Sequence, residues 1–262
     1  MFAANPANPS EHISSSPTLS VVIPAYNEIA TIAQVLSRVR AVNIDKEIIV
    51  VDDGSTDGTR EYLDTLREPS QSISDAHASA PAAGPSASNH LRIIFQEKNY
   101  GKGAALRRGF QCARGQIVVI QDADLELNPD EFPKLIEPIL QGRADVVYGS
   151  RFLGKDRNGI PISRYVANKG LTLASNLCTR LKLTDVWTGY KTFRREVLEG
   201  IELEEDRFGF EPEVTAKLAR RGYRILEVPV GYDCRSYAEG KKIRWKDSVR
   251  GIWCTLRYSF LP

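Results

Sequence analysis

Two aspartates that follow an apolar run give this sequence its clearest chemical signal. Asp122 and Asp124 come directly after Gln116–Ile120 and are separated by one small residue. Residues two apart in an extended chain project to the same side, so both carboxylates are expected to lie together. Unpaired carboxylates repel one another, and a hard cation such as Mg²⁺ or Mn²⁺ relieves that repulsion. Because Mg²⁺ usually binds one or two carboxylates plus substrate phosphates, a nucleoside diphosphate is its natural companion.

Two earlier apolar runs also end in polar residues. The first is followed by Pro24–Glu28 and the second by Asp52–Gly58. Each segment on its own is also typical of a turn or a helix cap, because Asp readily bonds nearby backbone N–H groups. Three such segments in order, each behind an apolar run, favour one shared binding edge.

A glycine-rich stretch, Asn99–Gly109, predicts a turn that opens a helix. Backbone N–H groups at a helix N-terminus, together with Lys102, favour a phosphate group. The spacing differs from that of a P-loop. A tight strand-to-helix turn without a ligand is the competing interpretation.

Apolar runs alternate with amphipathic segments along most of the chain. The predicted strands are Leu19–Pro24, Glu47–Val51, Leu91–Phe95, Gln116–Ile120, Asp145–Tyr148 and Arg224–Val230. The predicted helices are Thr31–Arg40, a segment around Tyr62–Leu66, Ala104–Ala113, Phe132–Leu140, Ser163–Leu183, Pro212–Arg221 and Trp245–Tyr258. Continuous Val/Ile runs between helices imply a parallel sheet covered on both faces. In such sheets ligands bind beyond the carboxyl ends of the strands.

The composition excludes several classes of protein. The 262 residues carry a formal net charge of +2, so neither a dedicated nucleic-acid binder nor a disordered chain is expected. The four cysteines show no zinc or disulfide spacing and are expected to be free thiols. No apolar run approaches the roughly 20 residues that cross a bilayer, so we expect a cytoplasmic protein whose membrane contact is peripheral.

The ordered motifs resemble family 2 glycosyltransferases of the GT-A fold, and among them the dolichyl- or polyprenyl-phosphate sugar synthases. The motifs that carry this resemblance are Val22–Glu28, Val50–Thr59, Asn99–Gly103, Asp122–Asp124, Tyr148–Arg151, Thr184–Arg194, Arg207–Glu213 and Tyr237–Asp247. The first five are specific for the fold and the donor type. The last three are less specific for the acceptor.

The resemblance implies an α/β, Rossmann-like sheet, mostly parallel and flanked by helices, in a single domain. Residues 1–17 are expected to form a disordered leader, and 18–262 the GT-A domain. Residues 18–150 would be the nucleotide-sugar half, with a mobile insertion at 68–90 that is rich in Ala, Ser, Pro and Gly. Residues 151–262 would be the less regular acceptor half.

The resemblance also assigns donor-side roles. Residues expected around the base and ribose are Pro24, Ala25, Tyr26 and Glu28, while Asp53 would accept a hydrogen bond from the base. Lys102 would approach the phosphates, Asp122 the ribose and metal, and Asp124 the metal. Many polyprenyl enzymes have Gln where this chain has Glu126, which makes Glu126 a candidate third ligand of Mg²⁺ or Mn²⁺.

Two acceptor classes remain open. A lipid phosphate is already anionic near pH 7, so it would need a cationic clamp rather than a base; the candidates are Arg151, Arg235, Lys241 and Lys242. A hydroxyl acceptor would need a base, for which Glu211 and Glu213 are the candidates. Either acidic residue would otherwise simply begin the helix at Pro212. Asp185 is expected to order the acceptor-side loop, and Trp187 to stack on a sugar or join the core.

The last segment, Trp245–Pro262, mixes apolar and basic residues. It is compatible with an interfacial helix on the inner membrane face, where a lipid-phosphate acceptor would lie, or with an amphipathic helix that closes the core. A nucleotidyltransferase would carry a glycine-rich signature directly after the first strand, and Pro24–Glu28 stands there instead. An inactive binding module would not need both Asp122 and Asp124.

Overall fold

The computed structural model describes residues 16–67, 90–154, 160–234 and 245–260, the last without the side chains of 245–248. Its strands are β1 (Leu19–Ala25), β2 (Lys46–Asp52), β3 (His90–Phe95), β4 (Ile117–Ile120), β5 (Val146–Ser150), β6 (Lys191–Arg194) and β7 (Ile225–Pro229). Its helices are α1 (Ile32–Ala41), α2 (Thr59–Thr65), α3 (Lys102–Cys112), α4 (Phe132–Leu140), α5 (Ile162–Thr179), α6 (Arg195–Glu199), α7 (Phe210–Arg220) and α8 (Trp245–Phe260). A short 3-10 helix, Pro129–Glu131, precedes α4.

The described strands form one seven-stranded sheet in the order β3-β2-β1-β4-β6-β5-β7. Neighbouring strands pair in parallel except around β6, which is antiparallel to β4 and to β5. Because strands from both halves of the chain share this sheet, the predicted single, mostly parallel α/β domain is confirmed.

The central strands are buried on both faces, as their unbroken Val/Ile runs predict. In β1, Val21 and Ile23 contribute to one hydrophobic cluster, and Val22 contributes to the cluster on the opposite face. Helix α3 packs closely on this strand through Gly109, where a β-carbon would lie 2.4 Å from a Val22 methyl group. The fold therefore has a helix-covered core on each side of the sheet.

The second half differs from the predicted elements at Lys191–Arg194, at the short helix α6 that follows it, and at the end of α5. Lys191–Arg194 is a strand although it was not predicted as one, because a four-residue segment with a charge at each end lacks an apolar run. Helix α5 ends at Thr179 rather than at Leu183, because Arg180 adopts a left-handed backbone conformation with φ of 60°. The boundaries of the other predicted elements differ by a few residues.

The carboxyl ends of β1, β2, β4 and β5 lie at one edge of the sheet, because these strands run in the same direction. Strand β6 runs the opposite way and therefore begins at that edge. Most of the predicted leader and of the 68–90 insertion lies outside the described residues, and His90 already belongs to β3. None of the described helices is long and apolar enough to cross a membrane.

Candidate active site

Asp53, at the end of β2, holds the glycine-rich turn in place. Its carboxylate accepts the backbone N–H groups of Tyr100 and Gly101, each at 2.8 Å. Burial raises the pKa of Asp53, and these two hydrogen bonds only partly offset that effect. Gly101 has a φ of 111°, a conformation that glycine adopts without strain. A hydrogen bond from the base to Asp53, as predicted, would therefore have to share oxygens that already accept from this turn.

The end of β1 presents part of its predicted nucleotide-binding set to the same edge. Pro24 and Tyr26 are half-buried, and Glu28 is buried. The methyl group of Ala25 lies in the hydrophobic core, so this residue can meet a ligand only through its backbone. The Glu28 backbone N–H donates to the Thr59 hydroxyl at 2.9 Å, which ties this turn to the start of α2.

The segment Asp122–Glu126, which we call the acidic turn, follows β4. Leu125 within it has a φ of 62°, and the Asp124 carboxylate accepts the backbone N–H of Glu126 at 3.2 Å. The Glu126 carboxylate accepts the Tyr232 hydroxyl at 2.7 Å. A hydrogen bond within the turn, from the Glu126 backbone to Asp124, thus helps to shape it. The Glu126 side chain is bound by Tyr232, which follows β7.

Lys102, the first residue of α3, lies between two carboxylates. Its ammonium is 2.8 Å from Asp122 Oδ1 and 3.2 Å from Glu211 Oε1. Burial by itself lowers the pKa of Lys102, but the two carboxylates outweigh burial and the net pKa is raised. Lys102 was predicted to approach the phosphates of the donor. In the structure its protonated ammonium lies beside the acidic turn.

The acidic turn fits a divalent ion shared with a diphosphate better than an all-protein metal cage. Among the described residues, no group of three His, Cys, Asp or Glu side chains is arranged to hold a metal ion. The predicted triple of Asp122, Asp124 and Glu126 is therefore not assembled as a ready three-ligand site. Asp122 pairs with the ammonium of Lys102, and its second carboxylate oxygen lies against Gly189. Two carboxylates plus phosphate oxygens are a normal Mg²⁺ ligand set.

Arg151, at the end of β5, is largely committed to a protein partner. Its Nε and Nη2 donate to the two carboxylate oxygens of Asp185 at 2.7 and 2.8 Å. Asp185 is fully buried, and the Arg151 guanidinium also stacks over the Tyr232 ring. The expectation that Asp185 orders the acceptor-side loop is consistent with this pair. Arg151 has only its remaining N–H groups to offer a phosphate, which weakens its predicted role as the main clamp.

Glu227, a residue that the sequence analysis missed, anchors the same loop. Its carboxylate accepts the backbone N–H groups of Thr184 and Asp185 at 2.7 and 2.9 Å. Burial raises the pKa of Glu227, and these hydrogen bonds act against that effect. A lone acidic residue within the apolar run Arg224–Val230 was the available signal.

The two candidate bases on α7 have different surroundings. The fully buried Glu213 accepts the backbone N–H groups of Glu204 and Glu205 at 2.7 and 2.9 Å, and it pairs with Lys217 at 2.8 Å. Its oxygens hold the chain that precedes α7, which argues against its predicted role as a base. Glu211 faces Lys102, and no described residue bonds its second carboxylate oxygen.

Helix α8 has one buried face and one exposed apolar face. Cys254 and Tyr258 pack with Ala216 of α7, and burial raises the pKa of the Cys254 thiol to about 12. The exposed apolar side chains are Val249, Ile252, Trp253, Leu256 and Phe260. The buried face of the helix thus closes the core, as one interpretation predicted. The exposed apolar face remains available for the membrane contact of the other interpretation. The candidate cations Arg235, Lys241 and Lys242 lie outside the described residues.

Comparison with known proteins gives concordant results. The model for glycosyl transferase family 2 matches residues 20–201. An undecaprenyl-phosphate mannosyltransferase from Micrococcus luteus is 33% identical over 228 residues, which cover 84% of this chain and 85% of the relative. A dolichol-phosphate mannosyltransferase from Pyrococcus furiosus is 32% identical over 85% of this chain, but the match spans only 58% of that longer relative.

Solved structures agree on the fold. A glucosyl-3-phosphoglycerate synthase from Mycobacterium tuberculosis, in complex with Mn²⁺, UDP and phosphoglyceric acid, superposes with a TM-score of 0.67. The match covers 94% of this chain and 80% of the synthase at 24% sequence identity. At that identity the likeness establishes the GT-A fold and leaves donor and acceptor to other arguments.

Proposed function

Because this chain belongs to glycosyl transferase family 2, we propose that it moves a hexose from a nucleotide sugar, of the GDP-mannose or UDP-glucose type, to a polyprenyl phosphate. The acceptor is inferred from the relatives named for undecaprenyl phosphate and dolichol phosphate. The observation that carries the proposal is the acidic turn at the carboxyl edge of the sheet, where Asp122 faces the ammonium of Lys102.

The donor nucleotide would bind across the ends of β1 and β2. Pro24, Tyr26 and Glu28 would border the base and ribose, and Asp53 would orient the base while it holds the glycine-rich turn. The N-terminus of α3, which begins at Lys102, would favour the diphosphate through its dipole, while its Gly101 and Ala104 N–H groups already bond Asp53 and the Asp206 carbonyl oxygen. In this arrangement the sugar would lie beside the acidic turn.

Asp122 and Asp124 are the residues that would hold Mg²⁺ or Mn²⁺. When bound, such an ion supplies charge stabilisation to the departing diphosphate. Lys102 adds a second positive charge at the same place, since its raised pKa keeps the ammonium protonated. The metal ion and the Lys102 ammonium would therefore both stabilise the negative charge of the departing diphosphate.

The proposed transfer is a single displacement with inversion at the anomeric carbon. An oxygen of the acceptor phosphate forms the new bond to that carbon, while the bond to the nucleoside diphosphate breaks and its electron pair leaves with the diphosphate. The attacking phosphate is already anionic, so no proton has to be removed. Cations that orient it are then more useful than a base.

The acceptor phosphate would be held by basic residues of the second half. We assign this role to Arg235, Lys241 and Lys242, and to the N–H groups of Arg151 that Asp185 does not engage. Exposed apolar side chains of α8, among them Trp253 and Leu256, would rest on the cytoplasmic membrane surface that carries the lipid. The protein would then act as a peripheral enzyme.

Transfer of radiolabel tests the proposal directly. Purified protein is incubated with Mn²⁺, labelled GDP-mannose or UDP-glucose, and polyprenyl phosphate, and the organic phase is counted. We expect an acid-labile, organic-extractable product from the phosphorylated lipid and none from the matched polyprenol. Failure to label the phosphorylated lipid with either donor would overturn the proposed acceptor.

Glu211 supports a second candidate, the same donor chemistry with a hydroxyl acceptor. Its buried carboxylate has one oxygen that no described residue bonds, as a general base requires. A hydroxyl acceptor predicts labelling of polyprenol or of a small alcohol, and its loss in Glu211→Gln. Transfer to polyprenyl phosphate that persists in this variant would exclude Glu211 as an essential base.

A further inference from the structure

Lys191, the first residue of β6, is a fully buried lysine that the proposed transfer does not use. Its ammonium donates to the carbonyl oxygens of Val186 and Thr188 at 2.8 and 2.6 Å, and it lies 4.4 Å from the centre of the Tyr148 ring. Lysine is rarely buried completely, because its charge is costly to remove from water. Such a residue is expected to have a specific structural task, and its two hydrogen bonds identify the segment it holds.

That segment is Thr184–Tyr190, which we call the 184–190 loop, and it touches the acidic turn. A β-carbon on Gly189 would lie 2.2 Å from Asp122 Oδ2, so the loop backbone lies directly against this carboxylate. The neighbouring Tyr190 hydroxyl is 2.8 Å from Gln121 Oε1, just before Asp122 in the chain. The position of the loop therefore limits where the Asp122 carboxylate can lie.

The other end of the loop is fixed independently. Its Thr184 and Asp185 backbone N–H groups bond Glu227, and the Asp185 side chain pairs with Arg151. Between this anchor and Gly189, the carbonyl oxygens of Val186 and Thr188 accept hydrogen bonds from the Lys191 side chain. Without that donor, both carbonyl oxygens would lose a hydrogen bond, and we expect the loop to shift until they find other donors.

We propose that Lys191 is a positioning residue of the transfer reaction: it holds the 184–190 loop so that Gly189 fixes the Asp122 carboxylate for the donor and its metal ion. This inference rests on the proposed function, in which Asp122 serves the donor. The role does not depend on the charge of Lys191, because a neutral amine still has two N–H groups to donate.

The surroundings of Lys191 agree with a role based on hydrogen bonding. Burial lowers its pKa to about 7, against the opposing effect of nearby carboxylates. The charged groups that face it are Glu211, Asp185, Lys102 and Arg151. These come from α7, the loop, α3 and the end of β5, so charged groups of four separate parts of the fold act on Lys191.

The chain supplies a matched control in Lys46, the first residue of β2. This lysine is also buried, and its ammonium donates to the Val42 carbonyl oxygen at 2.6 Å and to those of Arg40 and Ile44 at 3.3 Å. It lies at the start of its strand, at the edge opposite the acidic turn. Lys191→Met and Lys46→Met therefore remove the same group from similar surroundings, and only one of them borders the site.

The test titrates Mn²⁺ into each full-length protein with UDP or GDP present and follows the melting temperature. We expect Lys191→Met to raise the half-maximal Mn²⁺ concentration about 10-fold, in line with the loss of other outer-shell partners. In the transfer assay, kcat should fall about 10-fold or more with the acceptor KM unchanged. Lys46→Met should lower the melting temperature and leave the Mn²⁺ requirement and kcat as in the wild type. Equal effects in both variants, or no effect in Lys191→Met, would overturn the proposal.

Gly189→Ala gives a second route should Lys191→Met fail to fold. Its methyl group would push on Asp122 directly, so a folded variant should also need about 10-fold more Mn²⁺. An unchanged Mn²⁺ requirement in folded Gly189→Ala would refute the coupling. The Mn²⁺ titration needs no acceptor, so a protein that binds Mn²⁺ with nucleotide but does not label polyprenyl phosphate loses the proposed acceptor alone. A wild-type protein indifferent to Mn²⁺ would overturn both ideas.

Discussion

The donor side and the acceptor side of the site are held together by different interactions. On the donor side, carboxylates accept hydrogen bonds from backbone N–H groups of neighbouring turns. Asp53 binds the N–H groups of Tyr100 and Gly101, and Asp124 binds that of Glu126. These contacts depend mainly on the path of the backbone, and the carboxylates keep capacity for a ligand.

On the acceptor side, a buried ion pair between two side chains is added to contacts of that kind. Glu227 accepts the backbone N–H of Thr184, much as Asp53 accepts those of the glycine-rich turn. Arg151 and Asp185 instead bind each other through their charged side chains. This pair requires two particular residues and leaves a buried charged group without a partner when either is lost.

This difference separates activity from stability. Removal of the Asp124 carboxylate should remove chemistry and leave the fold intact, because the acidic turn keeps its backbone path. Removal of an acceptor-side partner should first weaken the fold, because it strands a buried charge. The following experiments test that contrast, beginning with the largest expected effect.

Asp124→Asn is expected to reduce transfer about 1,000-fold or more, as loss of a group that stabilises developing charge does elsewhere. The substitution keeps the size of the side chain and one oxygen, so the acidic turn should retain its shape. Steady-state kinetics at saturating Mn²⁺ measure the loss, and urea denaturation checks the fold.

Asp64→Asn on α2 serves as the matched control, because this aspartate is exposed and away from the site. It should retain wild-type kinetics. If Asp124→Asn kept more than a tenth of the activity, or lost mainly stability, the contrast between the two sides would fail at its strongest point.

Asp185→Asn is expected to lower the free energy of unfolding by about 3 kcal/mol, because it leaves the Arg151 guanidinium buried without its counter-charge. Equilibrium denaturation in urea gives this value. The double variant Arg151→Met/Asp185→Asn should recover part of the loss, since no unpaired charge remains.

Asp145 and Arg224 provide the comparison, because they form a similar two-pronged pair just before β5 and β7 that is more exposed than Arg151 and Asp185. Asp145→Asn should therefore cost much less stability than Asp185→Asn. Equal losses at the two pairs would show that burial is not what makes the acceptor side sensitive.

Gly103→Ala probes the contact between the two sides. A β-carbon at this position of α3 would lie 2.0 Å from the Glu205 carbonyl oxygen of the acceptor half. Overpacking of this kind should cost about 2 kcal/mol of stability and shift Lys102, the adjacent residue. Thermal denaturation and the donor KM measure the two consequences.

Gly170→Ala is the counterpart within α5, where an added β-carbon meets no atom within 4 Å. Alanine should stabilise that helix by about 0.5–1 kcal/mol. A stabilised Gly103→Ala variant would mean that the two halves do not pack together as closely as described.

The pH dependence of stability is a further test of the acceptor side, through the buried Lys191. The folded pKa of Lys191 is about 7 and the ordinary value is 10.5, so between these limits the unfolded chain binds the additional proton. The free energy of unfolding should therefore rise with pH in this window, by at most about 1.4 kcal/mol per pH unit from this group. Urea denaturation at pH 7.5 and 9 measures the slope.

Lys191→Met should flatten that slope. The exposed Lys134→Met variant removes the same formal charge from the surface and controls for net charge. A wild-type slope in Lys191→Met would mean that Lys191 does not exchange its proton on unfolding.

The donor half was largely predictable because its signals are local. An apolar run followed at once by polar residues predicts both the strand and the edge of the sheet at which the polar side chains lie. Asp53, Asp122 and Asp124 were found in this way, as was the glycine-rich turn. The metal role of Asp122 and Asp124 stays a prediction.

The acceptor half was less predictable because the roles of its acidic residues depend on contacts that only the folded chain makes. Nothing local marks Glu213 as a structural residue or Glu227 as a loop anchor, since both assignments depend on which backbone N–H groups come near. Strand β6 was missed for a related reason. Its pairing with β4 and β5, rather than its composition, makes it a strand.

The sequence by itself determined that this chain alternates buried strands with amphipathic helices and that its acidic residues collect where the strands end. Periodicity and spacing are sufficient for both, because parallel strands place their carboxyl ends at one edge. Only the tertiary structure decided which charged groups neutralise one another, since Lys102, Glu211, Asp185 and Lys191 meet across four separate elements. Burial and distance set the strength of these electrostatic interactions, and neither quantity can be derived from the order of the residues.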